Sequence, residues 1–242
     1  MALVVRYPCQ PSSGAARLLP LATVRAVAAQ VRRQLLPAGD ALAVPLPRLL
    51  AEAREIAVNG RAFSVQWDLT RALRDQHGRP VLGICDVDPD EPDWAYVSID
   101  APATANRPDL ALSTAAHELG HLVFDVPAAL GGGLHRYRAV AASSEALERA
   151  GRGAEGRANE FMGALLAPPV PLHTRLLALA RAEGLRLARA PHEGRPASPV
   201  VAPGNPPDLV AGVLAALAAE FGVTERFIAV RAARYGLVRG GV

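Results

Sequence analysis

The sequence predicts an α+β fold, on three observations. Apolar residues recur at helical spacing near both ends of the chain. Between them stand three short strand-like runs, Phe63 to Trp67, Pro80 to Val87 and Ala95 to Asp100. Residues 106–127 follow, with the pattern of a buried helix. The expected architecture is a small sheet beside that helix, plus a C-terminal helical region.

In chain order, residues 1–17 read as irregular. Residues 20–36 form a helix, because Val24, Val27, Val31 and Leu35 share one face. After Pro37-Ala38-Gly39-Asp40, residues 47–58 read as a second helix that stops at Asn59-Gly60. The three strands are separated by turn-rich pieces, among them His77-Gly78-Arg79 and the acidic stretch from Asp88 to Asp93. That stretch lacks the ligand spacing and central glycine of an EF-hand, so it reads as a solvated turn.

The central helix has a start and a stop. Asn106 can cap it, Pro108 suits its first turn, and Asp109 favours the positive end of the helix dipole. Pro127 is expected to end it. Leu110, Leu112, Ala115, Ala116, Leu119, Leu122, Val123 and Phe124 make it apolar nearly all round. A helix of this kind is buried, and polar groups on it need partners.

The polar groups are in the pentapeptide His117-Glu118-Leu119-Gly120-His121. Four residues apart on a helix, the two imidazoles project from one face, one turn apart, where one Zn²⁺ can take a nitrogen from each. Glu118 lies beside the metal rather than on it. There it can take a proton from a water on the ion and later pass it to a leaving amine. A catalytic zinc normally has three protein ligands and one open position. Asp125 is a weak third candidate, because one straight helix does not readily wrap three ligands around an ion. A second helical segment, from Glu155 to the stop at Pro168-Pro169, is better placed: its 34-residue separation from His121 allows an antiparallel return. Glu155 could give a carboxylate oxygen, and Asn159, one turn on, could accept a hydrogen bond from a ligating imidazole. Composition alone leaves Glu145, Glu148 and Glu160 equally available.

The two segments together resemble the ImmA/IrrE family of metallopeptidases. In that family a HExxH helix is followed by E-x-x-A-N-x-F-A-x-x-L-L-x-P. Here the second motif reads Glu155, Ala158, Asn159, Phe161, Leu165, Leu166 and Pro168, with Met162 where alanine is usual. The resemblance covers roughly residues 45 to 170. It implies a gluzincin-like metallopeptidase in which Glu155 is the third ligand. It also implies a protein substrate, a helix-turn-helix transcriptional repressor in a stress-response or mobile-element circuit. Zn²⁺ is the expected cofactor, and Mn²⁺ or Fe²⁺ also suits two histidines and a carboxylate.

The connection over residues 126–153 is long and weakly patterned. His135 or Tyr137 within it could stabilise the oxyanion of a tetrahedral intermediate. His77, His173 and His192 have no ligand-like company and read as surface residues. Beyond Pro169 a helix runs to about Leu187, and the stretch from Pro191 to Pro207 reads as a linker or flexible loop. Asp208 to Phe221 and Glu225 to Tyr235 then form two helices around Gly222-Val223-Thr224, with Thr224 as the cap. The second helix offers only Arg226, Arg231 and Arg234 beside apolar Phe227, Ile228 and Val230. It is therefore assigned to packing rather than to DNA.

Three regions are expected: an N-terminal extension with a helix (1–40), the metallopeptidase domain (41–170) and the C-terminal helical region (171–242). Net charge is +3 in 242 residues, with 26 basic and 23 acidic side chains, and no basic run suggests a nucleic-acid face. Two cysteines far apart do not make a secreted disulfide framework. With no signal-like leader and no long apolar run, a cytoplasmic protein without membrane contact is expected. The alternative is a non-catalytic or DNA-binding regulator built on the same fold. The mark of a non-catalytic regulator would be a lost Glu118 or a lost ligand, and neither is lost; a DNA-binding protein working through residues 208–237 would show salt-dependent DNA affinity that survives chelation.

Overall fold

The computed structural model describes residues 2–9, 16, 19–37, 41–88, 90–131, 137–141 (backbone), 153–193 and 195–239. The chain divides into two compact units. One comprises Met1–Asp40 and Val44–Leu165, the other Ala41–Ala43 and Leu166–Val242. Residues 1–40 therefore belong to the same unit as the pentapeptide helix.

The first unit is built on a six-stranded mixed sheet. Its strands are β1 (Leu3–Val5), β2 (Glu55–Val58), β3 (Arg61–Asp68), β4 (Gly83–Val87), β5 (Trp94–Ile99) and β6 (Tyr137–Ala141), in the order β1-β2-β3-β5-β4-β6. β1–β2 and β3–β5 are parallel pairs; the others are antiparallel. The three expected strands are β3, β4 and β5.

Three of the six strands lie outside the expected runs: β1, β2 and β6, the last within the connection over residues 126–153. Residues 55–58, read as the end of a helix, are β2. The helix before it, α2 (Leu46–Glu52), stops earlier. Asn59 and Gly60 both adopt positive φ, 52° and 92°, so they form a hairpin turn that pairs Val58 with Arg61. The N-terminus is not wholly irregular either. β1 is three residues long, too short for a visible period, and α1 (Leu21–Leu35) holds it from the side. The Gln34 and Gln30 side-chain oxygens accept from the backbone N–H of Val4 and Arg6 at 2.8 and 3.0 Å.

After β5, Asp100 caps the short α3 (Ala101–Thr104) by accepting from Ala103 N at 2.7 Å. The pentapeptide helix is α4 (Pro108–Phe124). Asn106 does not cap it: the N-cap position is Arg107, whose side chain pairs with Asp109 at 3.0 Å. Pro127 does not simply end it. The chain starts a new short helix, α5 (Val126–Gly131), and Pro127 sits in its first turn, where a missing N–H costs nothing. Ala154–Leu166 forms α6. Leu119, Leu122, Val123, Phe124, Phe161 and Leu165 are fully buried, with the Phe124 and Phe161 rings 5.8 Å apart where α4 meets α6. Each such side chain contributes about 1.5–3 kcal/mol relative to exposure.

The second unit contains α7 (Pro169–Ala182), a hairpin of β7 (Leu187–His192) and β8 (Arg195–Val201), and the pair α8 (Pro207–Phe221) and α9 (Glu225–Arg234). The hairpin corrects the expected linker. Pro191, Pro196 and Pro199 are tolerated because both strands of a two-stranded sheet are edges, where a missing donor breaks no central ladder. His173 and His192 are not simple surface residues. Their rings pack 4.4 Å apart, and His192 is buried. Thr224 caps α9 as expected, accepting from Phe227 N at 3.0 Å. Among the described residues, no helix is long and apolar enough to cross a membrane.

Candidate metal centre

Helical spacing brings the first two groups together. His117 and His121 are fully buried on α4, with their Nε2 atoms 3.2 Å apart. The third group arrives because α4 and α6 cross closely. Gly120 faces Ala158, and a Cβ on Gly120 would stand 2.8 Å from Ala158 Cα. A small residue on each helix thus lets the backbones approach, and Glu155, one turn before Ala158, reaches the histidines. Its Oε2 lies 3.3 Å from His117 Nε2, and its Oε1 lies 3.3 Å from His121 Nε2. These three side chains are the one group of three or more metal-ligating residues among the described residues.

The donor set fits a small divalent cation. Bonds of about 2.0–2.1 Å at tetrahedral angles put ligand atoms roughly 3.3 Å apart, the spacing found here. The Glu155 side chain keeps 38 % of its exposure, so the cluster opens to solvent on that side. Three carboxylates, those of Glu118, Asp125 and Glu155, lie around the two histidines, and Arg157 pairs with Asp125. Burial by itself raises the Glu155 pKa, but hydrogen bonds from His117 and His121 outweigh it and hold the carboxyl well below its ordinary range. Burial by itself lowers the His121 pKa, but without a cation the hydrogen bonds to Asp125 and Glu155 hold a second proton and raise it; a cation at Nε2 would take the place of that proton.

Each histidine uses its other nitrogen. His117 Nδ1 is 3.2 Å from Asn159 Oδ1, and His121 Nδ1 is 2.8 Å from Asp125 Oδ2. Asp125 is thus on the side of His121 away from Glu155, which is inconsistent with a place in the three-ligand cluster. Its other oxygen accepts from Arg157 Nη2 at 2.5 Å. This role for Asp125, and any role for Arg157, escaped sequence reasoning. The signal was there in the four-residue step from His121 to Asp125, which puts both on one face.

Glu118 is fully buried, and among the described residues neither of its oxygens has a hydrogen-bond partner. Burial pushes its carboxyl up, against the pull of His117 and His121 and with the repulsion of Glu155. Strand β4 makes room for it at Gly83, where a Cβ would sit 2.4 Å from Glu118 Oε1. That glycine lies in a run that otherwise reads as an ordinary strand, so sequence alone did not single it out. His135 lies outside the described residues. Tyr137 opens β6, opposite Val87, and its side chain is outside the described set.

No family model, curated protein or solved structure matches the chain.

Proposed function

We propose that this chain is a metal-dependent endopeptidase of the gluzincin type, a member of the ImmA/IrrE family. The observation that carries the reading is a single one. A fully buried Glu118, with no hydrogen-bond partner among the described residues, stands on the same helix as two histidines whose Nε2 atoms converge on Glu155. An unpaired buried carboxylate costs several kcal/mol, and general-base chemistry is a reason to keep one. Zinc is the favoured ion, with manganese or iron as the other candidates.

His117, His121 and Glu155 would hold the cation. When bound, it supplies a Lewis acid that polarises a carbonyl and brings water near pKa 7. The chain's own residues do the rest. Glu118 takes a proton from the attacking water and returns it to the leaving amine. Burial, which raises its carboxyl, brings its basicity closer to that task. Asn159 orients His117. His135 and Tyr137 remain candidates for the oxyanion.

A protein substrate, namely a helix-turn-helix repressor, rests on the resemblance of the two motifs. Direct nucleic-acid binding is disfavoured by α9. Arg231, one of its few basic residues, is buried, bonded to Tyr235 Oη at 3.1 Å and stacked on that ring. The test is cleavage of the repressor encoded beside the gene. Wild type should cut it and chelation should stop it. Glu118→Gln should keep the metal yet cut no substrate, because the amide keeps the size and loses the base. Full activity of that variant removes Glu118 from the mechanism.

A further inference from the structure

Asp125 stands where a helix tolerates an acid least. It is the C-cap of α4, at the negative end of the helix dipole, and its side chain is only 8 % exposed. A carboxylate there destabilises unless it is paired. Two groups pair it, one on each oxygen: His121 Nδ1 at 2.8 Å and Arg157 Nη2 at 2.5 Å. Arg157 lies on α6, two residues after Glu155 and two before Asn159. The same turns of α6 therefore reach both histidines, His117 directly through Asn159 and His121 through Arg157 and Asp125.

The structure assigns Asp125 and Arg157 as a positioning pair: Arg157 fixes the Asp125 carboxylate, which holds the His121 proton on Nδ1 and leaves the Nε2 lone pair facing His117 and Glu155. The assignment rests on the metal-site reading above. A neutral imidazole carries one N–H, and an acceptor at Nδ1 decides which nitrogen carries it. A carboxylate is a stronger acceptor than the amide that faces His117, so Asp125 fixes the His121 ring and its tautomer more firmly than Asn159 fixes those of His117. With both of its oxygens engaged on the far side of the ring, Asp125 orients a ligand and does not replace one. Arg157 has a second effect, because it offsets the charge that Asp125 places against the helix dipole.

The rival account is a salt bridge that only ties the end of α4 to α6. Zinc affinity, measured by competition with a chromophoric chelator, separates the two when the melting temperature of the metal-free chain is taken alongside. ¹⁵N NMR of the His121 ring in the zinc-loaded chain adds the tautomer. The variants are Asp125→Ala, Asp125→Asn, Arg157→Met and Arg157→Lys, with His117→Ala as the missing-ligand reference. Asp125→Ala should bind zinc about 10–100-fold more weakly, as loss of a partner that orients a ligand typically does. Asp125→Asn should recover part of the affinity, since its amide oxygen still accepts, and it serves alone if the alanine variant does not fold. Arg157→Met should weaken binding less, and Arg157→Lys should restore some of it. Wild type should show the proton on Nδ1, and Asp125→Ala should lose that signature. Unchanged zinc affinity with a lowered melting temperature overturns the positioning role and leaves the metal site standing. A loss as complete as that of His117→Ala makes Asp125 a ligand and overturns it as well. A wild-type chain that takes up no zinc removes the metal reading and this role together.

Discussion

At the scale of single residues, Glu118 is buried with no hydrogen-bond partner for either oxygen among the described residues. Desolvating a carboxylate without a hydrogen bond is a cost that core packing does not repay. The neighbours nonetheless keep it: Gly83 leaves it space, and the two imidazoles lower its charge penalty. Asn159 presents the opposite case, a buried polar group with a partner, 3.2 Å from His117 Nδ1. If it orients that ring, Asn159→Ala should fold, bind zinc about 10–100-fold more weakly and recover partly with added metal. Asn159→Asp should be milder, because a carboxylate also accepts the imidazole N–H. Zinc titration and melting on the same two proteins check this. A lowered melting temperature at unchanged affinity would make Asn159 an ordinary core residue.

At the scale of elements, the centre depends on how closely α6 approaches α4. Gly120→Ala places a Cβ 2.8 Å from Ala158 Cα, which is backbone and cannot swing aside. Overpacking of this sort costs about 1–3 kcal/mol. It should also carry Glu155 away from the histidines, so melting temperature and zinc affinity should fall together. A variant that melts lower but binds zinc normally would show that the helix spacing does not set the site. The same elements explain what could be read beforehand. His117, Glu118 and His121 were legible because local spacing alone places them on one helix face. The pairing of Glu155 with them is long-range and was reached only through resemblance. β1 and β2 were not legible. A three-residue strand has no period, and Asn-Gly after an apolar run serves equally as a helix stop or a hairpin turn until backbone φ is known. The β7–β8 hairpin was hidden by its prolines, which an edge strand accepts.

At the scale of the whole molecule, the first unit carries every member of the candidate centre, and the second offers α9 with Arg231 already engaged. Whether that centre holds a metal decides between the proposed peptidase and a non-catalytic protein. A bound ion also stabilises the chain that binds it, by about 4 kcal/mol at a thousand times its dissociation constant. The most direct test is the metal content and zinc dissociation constant of the purified chain beside Glu155→Ala. One ion per wild-type chain is expected, lost or greatly weakened in the variant, with chelation lowering the wild-type melting temperature. A well-folded wild-type chain that takes up neither zinc, manganese nor iron, or a Glu155→Ala chain that binds as tightly as wild type, would contradict the proposed centre.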